Sequence, residues 1–201
     1  MERLFPTLKD TKWVQVNLDE EYKKRSLDMF NVDDQIRLLD ELKKEHKANT
    51  YGGFREDRSA IWKGFESSTM IHLGVDFNNL EMDTPVASLA EGDIVQILQD
   101  PDKFNGWGTK VIVQSGSLFF LYGHLYKCPF QKGDTVKQGE IIGLIAPPSK
   151  NGGWFPHLHL QIMDSKKLNK FILTVDGYEF EKGEVSGLVD PLAWLQNSKT
   201  E

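Results

Sequence analysis

From about residue 70 onward, the chain falls into short apolar runs separated by Gly, Asp and Asn. TPVASL, DIVQIL, KVIVQS, LFFLYGHL, EIIGLIA, HLHLQIM and FILTV are all of strand length and rich in β-branched or aromatic residues. No helical period interrupts them, which predicts a mainly β domain with an antiparallel, sandwich- or barrel-like sheet. The closing DPLAWL reads as a short capped helix. The first fifty or so residues have a different texture. NVDDQIRLLDELKKEHKAN offers Asp33 or Asp34 as a cap, a stripe of Ile36, Leu39 and Leu42, and basic residues in its last turn. That pattern predicts a helix over 34–47, with His46 on its solvated face. The expected organisation is an N-terminal extension with one helix over residues 1–50, followed by the β domain over 51–201.

With 201 residues and 39% hydrophobic content, the chain can bury a core without a covalent staple. A net charge of −6 and the lack of a long basic block argue against nucleic acid or an anionic membrane as partner. No run is long and apolar enough to insert in a bilayer. The opening MERLFPTLKDTK carries no apolar export segment, so the expected location is cytoplasmic. The single cysteine, Cys128, has no partner within the chain and is expected to be buried and inert.

The chemistry lies in the histidines. Four of the five, His72, His124, His157 and His159, fall in the β-rich part. His72 and Asp76 are separated by three residues that include Gly74, and imidazole plus carboxylate suits zinc. Alone, this spacing is common in surface turns. His124 sits in the very apolar FFLYGHLY, where a single histidine is more often part of a satisfied core. His157 and His159 are one residue apart, so in a strand they share a face. Taken together, His72, Asp76 and one histidine of that pair supply the three protein ligands a catalytic zinc requires. His124 and the remaining histidine are then free for proton transfer. Just upstream, YGGFREDR places Arg55 and Arg58 where either could stabilise an oxyanion, grip a substrate carboxylate, or form a structural ion pair. Trp107, Trp154, Phe155 and Tyr122 are candidates for a cleft wall and equally for core packing.

Read in order, IHLGVDF, TPVAS, GDIV, GWGTKVIVQ, LYGHL, KGDTVKQGEIIG, PHLHLQI and VDPLAWL resemble the lysostaphin-type (LytM-like) zinc metalloendopeptidases over about residues 70 to 196. The resemblance implies a hydrolase with one zinc per chain, held by His72, Asp76 and His159, and two further active-site histidines, His124 and His157. It leaves open which of these is the general base. Its implied substrates are peptides, among them peptidoglycan-derived (muropeptide) and glycine-rich ones. The chain departs from the pattern at Gly153, Trp154 and Phe155, where Ser-Thr-Gly is usual, at Leu160 in place of Phe, and at Gln161 in place of Glu. The link FNNLEMDTPV is also longer than usual. These changes fall on the cleft wall, so substrate preference does not carry over.

Two rivals come from other classes. KGDTVKQGEIIG also resembles the hairpin of lipoyl and biotinyl carrier domains, with Lys103 of PDKF as the modified residue, but a carrier has no use for four histidines. A metallopeptidase-like domain that has lost catalysis and serves as a regulator or adaptor would usually lack ligands, and here all five positions are filled.

Overall fold

A computed structural model of the chain describes residues 1–59, 69–100 and 106–197; Lys103 lies outside them. The strands in chain order are β1 (Trp13–Gln15), β2 (Asn49–Gly52), β3 (Ile71–His72), β4 (Val75–Phe77), β5 (Pro85–Ala87), β6 (Gly92–Gln99) and β7 (Thr109–Ser115). They continue with β8 (Leu118–Tyr126), β9 (Thr135–Val136), β10 (Ile141–Ile145), β11 (Leu158–Asp164), β12 (Tyr178–Glu179) and β13 (Leu188–Val189). The main sheet runs β1-β2-β4-β11-β8-β7-β6-β9, with β5, β10 and β13 attached beside this path. All its pairings are antiparallel except β1 with β2. The fold is therefore mainly β, as the spacing of the apolar runs predicts.

β11 lies at the heart of this sheet, between β4 and β8. Its alternation has a physical consequence. Leu158, Leu160 and Ile162 enter the main core with Val75 and Phe77 of β4 and Phe120 and Tyr122 of β8. The residues between them, His159 and Gln161 on β11 and Asp76 on β4, are thereby turned to the opposite face. One face of these strands holds the main core, and the other holds the polar cluster at one end and a second apolar cluster, with Phe119, Leu121 and Met163, at the other.

The N-terminal residues are part of this body. Leu4 and Phe5 are fully buried in the main core, and the Phe5 ring lies 5.5 Å from both Trp13 and Phe77. Two helices follow where the sequence predicts one. α1 (Leu18–Arg25) is capped by the Asn17 side chain and buries Leu18 and Tyr22; with so few apolar positions its period is faint in the sequence. α2 (Val32–His46) matches the predicted helix closely, but Asn31, rather than Asp33 or Asp34, caps it. Its buried stripe is also shifted. Ile36 is exposed, while Gln35, Leu38, Leu39 and Leu42 face inward.

The FILTV run is not a strand. Ile172–Thr174 forms a 3₁₀ turn and Phe171 points to solvent, so the run lacks the two-faced burial that a strand requires. α3 (Pro191–Asn197) is capped by Asp190, which accepts from the Leu192 amide, as DPLAWL predicts. Cys128 is half-buried rather than buried, and partial burial raises its thiol pKa, which keeps it unreactive. No helix among the described residues is long and apolar enough to cross a membrane.

Gln35 ties the helices to the sheet. Its side-chain amide donates to the Met29 carbonyl at 2.6 Å, and its Oε1 accepts from the Phe155 amide at 3.0 Å, just before β11. Gln35 itself is buried. Truncation to Ala would leave a carbonyl and an N–H unpartnered in the interior, at about 1–3 kcal/mol each. Gln35→Ala should therefore lower the unfolding free energy by roughly 2–4 kcal/mol in urea titration. A loss under about 0.5 kcal/mol would mean the helical layer is held by packing alone.

Candidate metal centre

The antiparallel register of β4 and β11 sets Asp76 directly opposite His159. His72 reaches the same point from β3, which pairs with β12 through Tyr178. Gly74, between His72 and Asp76, permits the approach: a Cβ there would come within 2.5 Å of the His159 ring and 2.6 Å of the Leu160 carbonyl. His72 Nε2 lies 3.0 Å from His159 Nδ1 and 3.4 Å from Asp76 Oδ2, and His159 Nδ1 lies 3.1 Å from Asp76 Oδ1. All three residues are buried, and one donor atom from each falls within 4.8 Å of the others.

The remaining nitrogens fix the tautomers. His72 Nδ1 lies 3.1 Å from the Gly53 carbonyl, and His159 Nε2 lies 3.3 Å from Gln161 Oε1. An oxygen acceptor requires an N–H on each of these nitrogens, so the inner nitrogens, His72 Nε2 and His159 Nδ1, present lone pairs. Two imidazole lone pairs and a carboxylate converge with no proton between them, which fits a divalent cation and an N/O donor set of the kind zinc takes. Gly53 can offer its carbonyl because its φ of +112° is open to glycine, and a Cβ there would meet the His72 ring at 2.5 Å.

Arg58 completes the cluster from the loop after β2. It is buried, and its Nη1 donates to Asp76 Oδ2 at 2.7 Å and to the Tyr178 hydroxyl at 3.3 Å. The opposite side of its guanidinium faces Glu56, with Nη2 3.7 Å from that carboxylate. Burial would raise the Asp76 carboxyl, but its polar neighbours, the Arg58 guanidinium above all, outweigh it and hold the group well below the usual carboxylate range. Burial keeps His72 neutral, pushed down to about 3, so the guanidinium is the charge that stabilises the carboxylate.

His124 and His157 lie beside the cluster with ring centroids 4.2 Å apart. Their Nδ1 atoms lie 3.2 Å from the Asn151 carbonyl and 2.7 Å from the Phe155 carbonyl, which again leaves Nε2 as the unprotonated nitrogen. His124 is aimed by a β-bulge: opposite Thr109 to Val111 on β7, β8 has Gly123 and His124 facing the single Lys110. His124 takes a left-handed φ of 62° there and stacks on Trp107 at 5.4 Å. Burial holds both imidazoles below their ordinary pKa, His124 well below.

All five histidine and aspartate positions singled out in the sequence line one cavity of about 260 Å³, together with Arg58, Trp107, Trp154 and Phe155. Two other candidates do not. Arg55 donates to Glu179 at 2.6 Å and to the Val185 carbonyl at 2.9 Å, a structural ion pair away from the cavity. Tyr122 is fully buried in the main core, where its hydroxyl accepts from the Leu89 amide at 2.9 Å. Sequence reasoning missed the outer partners Gly53, Asn151 and Gln161. Gln161 was within reach, since it shares the β11 face of His159, whereas the two carbonyls carry no local signal. It also missed Leu18, Tyr22 and Met29, which line the cavity from the helical layer.

Three imidazoles buried neutral make stability sensitive to acid. Their folded pKa values lie below the unfolded value of about 6.5, so their contribution is fully present above that pH and lost as pH falls through it. The urea midpoint of metal-free protein should drop between pH 7.5 and 5.5, with a limiting slope of up to about 1.4 kcal/mol per pH unit for each histidine. A flat midpoint over that range would show that the imidazoles accept protons within the fold.

The chain matches the model of peptidase family M23 over residues 70–170. It is similar to an uncharacterized metalloprotease of Haemophilus influenzae, 31% identical over 108 residues that make up 53% of this chain and 22% of that protein. It is 32% identical to the peptidoglycan DD-endopeptidase ShyA of Vibrio cholerae over 46% of this chain and 20% of that one. With lysostaphin of Staphylococcus staphylolyticus the identity is 36%, over 46% of this chain and 18% of that one. The chain thus spans about a fifth of the length of these relatives. Among solved structures, the antimicrobial peptidase lysostaphin from Staphylococcus simulans aligns at 28% identity with a TM-score of 0.47, covering 64% of this chain and 45% of that one. The family match takes in half of the residues, from the start of β3 through the end of β11, and the chain belongs to peptidase family M23.

Proposed function

We propose that this chain is a zinc-dependent metalloendopeptidase in which His72, Asp76 and His159 hold the metal and His124 and His157 move protons. The observation that carries the reading is the pair of inner lone pairs, His72 Nε2 and His159 Nδ1, facing each other at 3.0 Å beside a buried carboxylate. Bound there, zinc would lower the pKa of a water toward about 7 and polarise the scissile carbonyl. The protein supplies the rest. The Gly53 carbonyl and Gln161 Oε1 orient the two ligand imidazoles, and Arg58 occupies Asp76 Oδ2 so that Oδ1 is left for the metal.

Held with Nδ1–H, His157 and His124 both present a bare Nε2, so each can act first as a base. His157 accepts the proton of the attacking water at Nε2. The proton then reaches the leaving amine either directly from His157 Nε2 or after passing to the bare Nε2 of His124 beside it. The names of two relatives, lysostaphin and a peptidoglycan DD-endopeptidase, make peptidoglycan-derived and glycine-rich peptides the first substrates to try.

Metal analysis of the purified protein should find one zinc per chain, and His159→Ala should strip it, because two remaining ligands hold zinc poorly. Stoichiometric zinc in His159→Ala would refute the ligand assignment.

His124→Ala and His157→Ala should keep both zinc and fold while hydrolysis falls by roughly two to four orders of magnitude. Wild-type turnover in either variant would remove that residue from the mechanism, and loss of zinc would make it a ligand.

A further inference from the structure

The cavity that holds the donor cluster has two unlike halves. Its base carries the imidazoles, Asp76 and Arg58, while one wall is built from Leu18, Tyr22, Met29, Met70, Trp154 and Phe155. These six belong to one apolar cluster, backed by Leu38, Leu39 and Leu42 of α2. The wall begins beside the reacting groups, with the Phe155 ring centroid 4.6 Å from that of His157. Tyr22 is 2% exposed, so this wall is closed behind its inner surface.

We infer that this wall is a substrate subsite for a bulky apolar, aromatic-sized side chain on a residue flanking the scissile bond. The inference rests on the peptidase reading above and narrows its substrate class. Size supports it. An apolar cavity of about 150 Å³ already accommodates benzene, and this one has about 260 Å³, room for a ring beside the space at the metal-binding cluster. Glycine at that position would leave the apolar wall against water and gain nothing from it. The substrates cut fastest therefore carry a large apolar residue next to the bond.

The test uses two metal-chelating probes, acetohydroxamate and phenylacetohydroxamate, on zinc-loaded wild-type protein carrying ¹³C-methyl methionine. Calorimetry should show phenylacetohydroxamate binding at least about tenfold more tightly, the return on burying a ring. The methyl resonances of Met29 and Met70, which line the cavity, should shift with the aromatic probe and not with acetohydroxamate. Those of exposed Met82 and of Met163, buried in another cluster, should stay in place with both. Leu18→Phe, which fills the subsite, should bring the two affinities within about twofold of each other. Should that variant fail to fold, the wild-type methyl shifts decide alone. Equal affinities, or shifts that miss Met29 and Met70, would overturn the subsite while leaving the metal reading intact. Binding of neither probe would overturn both.

Discussion

A buried carboxylate governs the arrangement of this chain. Asp76 is buried at the centre of the sheet, and taking such a charge out of water costs several kcal/mol after relaxation. The cost is met locally by the guanidinium of Arg58, while two imidazoles at 3.1 and 3.4 Å converge on the same carboxylate with bare nitrogens. Each of these partners comes from a different part of the chain: the loop after β2, the β3 strand and β11. Loss of Arg58 would leave the buried charge without the cation that compensates it. This is also why Glu56 belongs to the design. It faces the other side of Arg58, and burial raises its own carboxyl, so the guanidinium serves two acids of which only Asp76 is held firmly ionised.

The four active-region imidazoles share one construction. In each, one nitrogen is committed to an oxygen acceptor, and the other is left bare toward the cavity. Burial keeps His72, His124 and His157 uncharged near neutral pH. A cluster of protonated imidazoles would repel a metal cation, whereas neutral ones with fixed tautomers are preorganised to ligate it or to accept a proton. Gln161 fits this scheme. Its neutral amide oxygen orients His159 and adds no second negative charge beside Asp76, whereas a glutamate there would.

The sheet and the histidine constellation were legible in the sequence because both depend on local alternation. Leu158, Leu160 and Ile162 against His159 and Gln161 is a period of two, readable without tertiary knowledge. The helical layer was harder. α1 has just Leu18 and Tyr22 to mark its inner face, and the stripe of α2 was set one position off because Gln35, a polar residue, is buried for its two hydrogen bonds while Ile36 is exposed. Arg55 and Arg58 were indistinguishable three residues apart. Their separation follows from long-range partners, Glu179 for one and Asp76 for the other, which no local pattern announces.

The departure at Gly153, Trp154 and Phe155 takes its meaning from the same layer. In sequence, two bulky residues before the His157–His159 pair suggest a narrowed cleft rim. In the fold they are buried, turned into the cluster formed by α1, α2 and the turn between them, and the Phe155 amide is bonded to Gln35. A helical layer resting there needs apolar partners from the sheet side, and Trp154 and Phe155 supply them where small residues would leave a void. The N-terminal segment and this departure are thus two halves of one packing arrangement. Because that packing forms a wall of the cavity, a change in either half alters the shape offered to a substrate without touching the donor cluster.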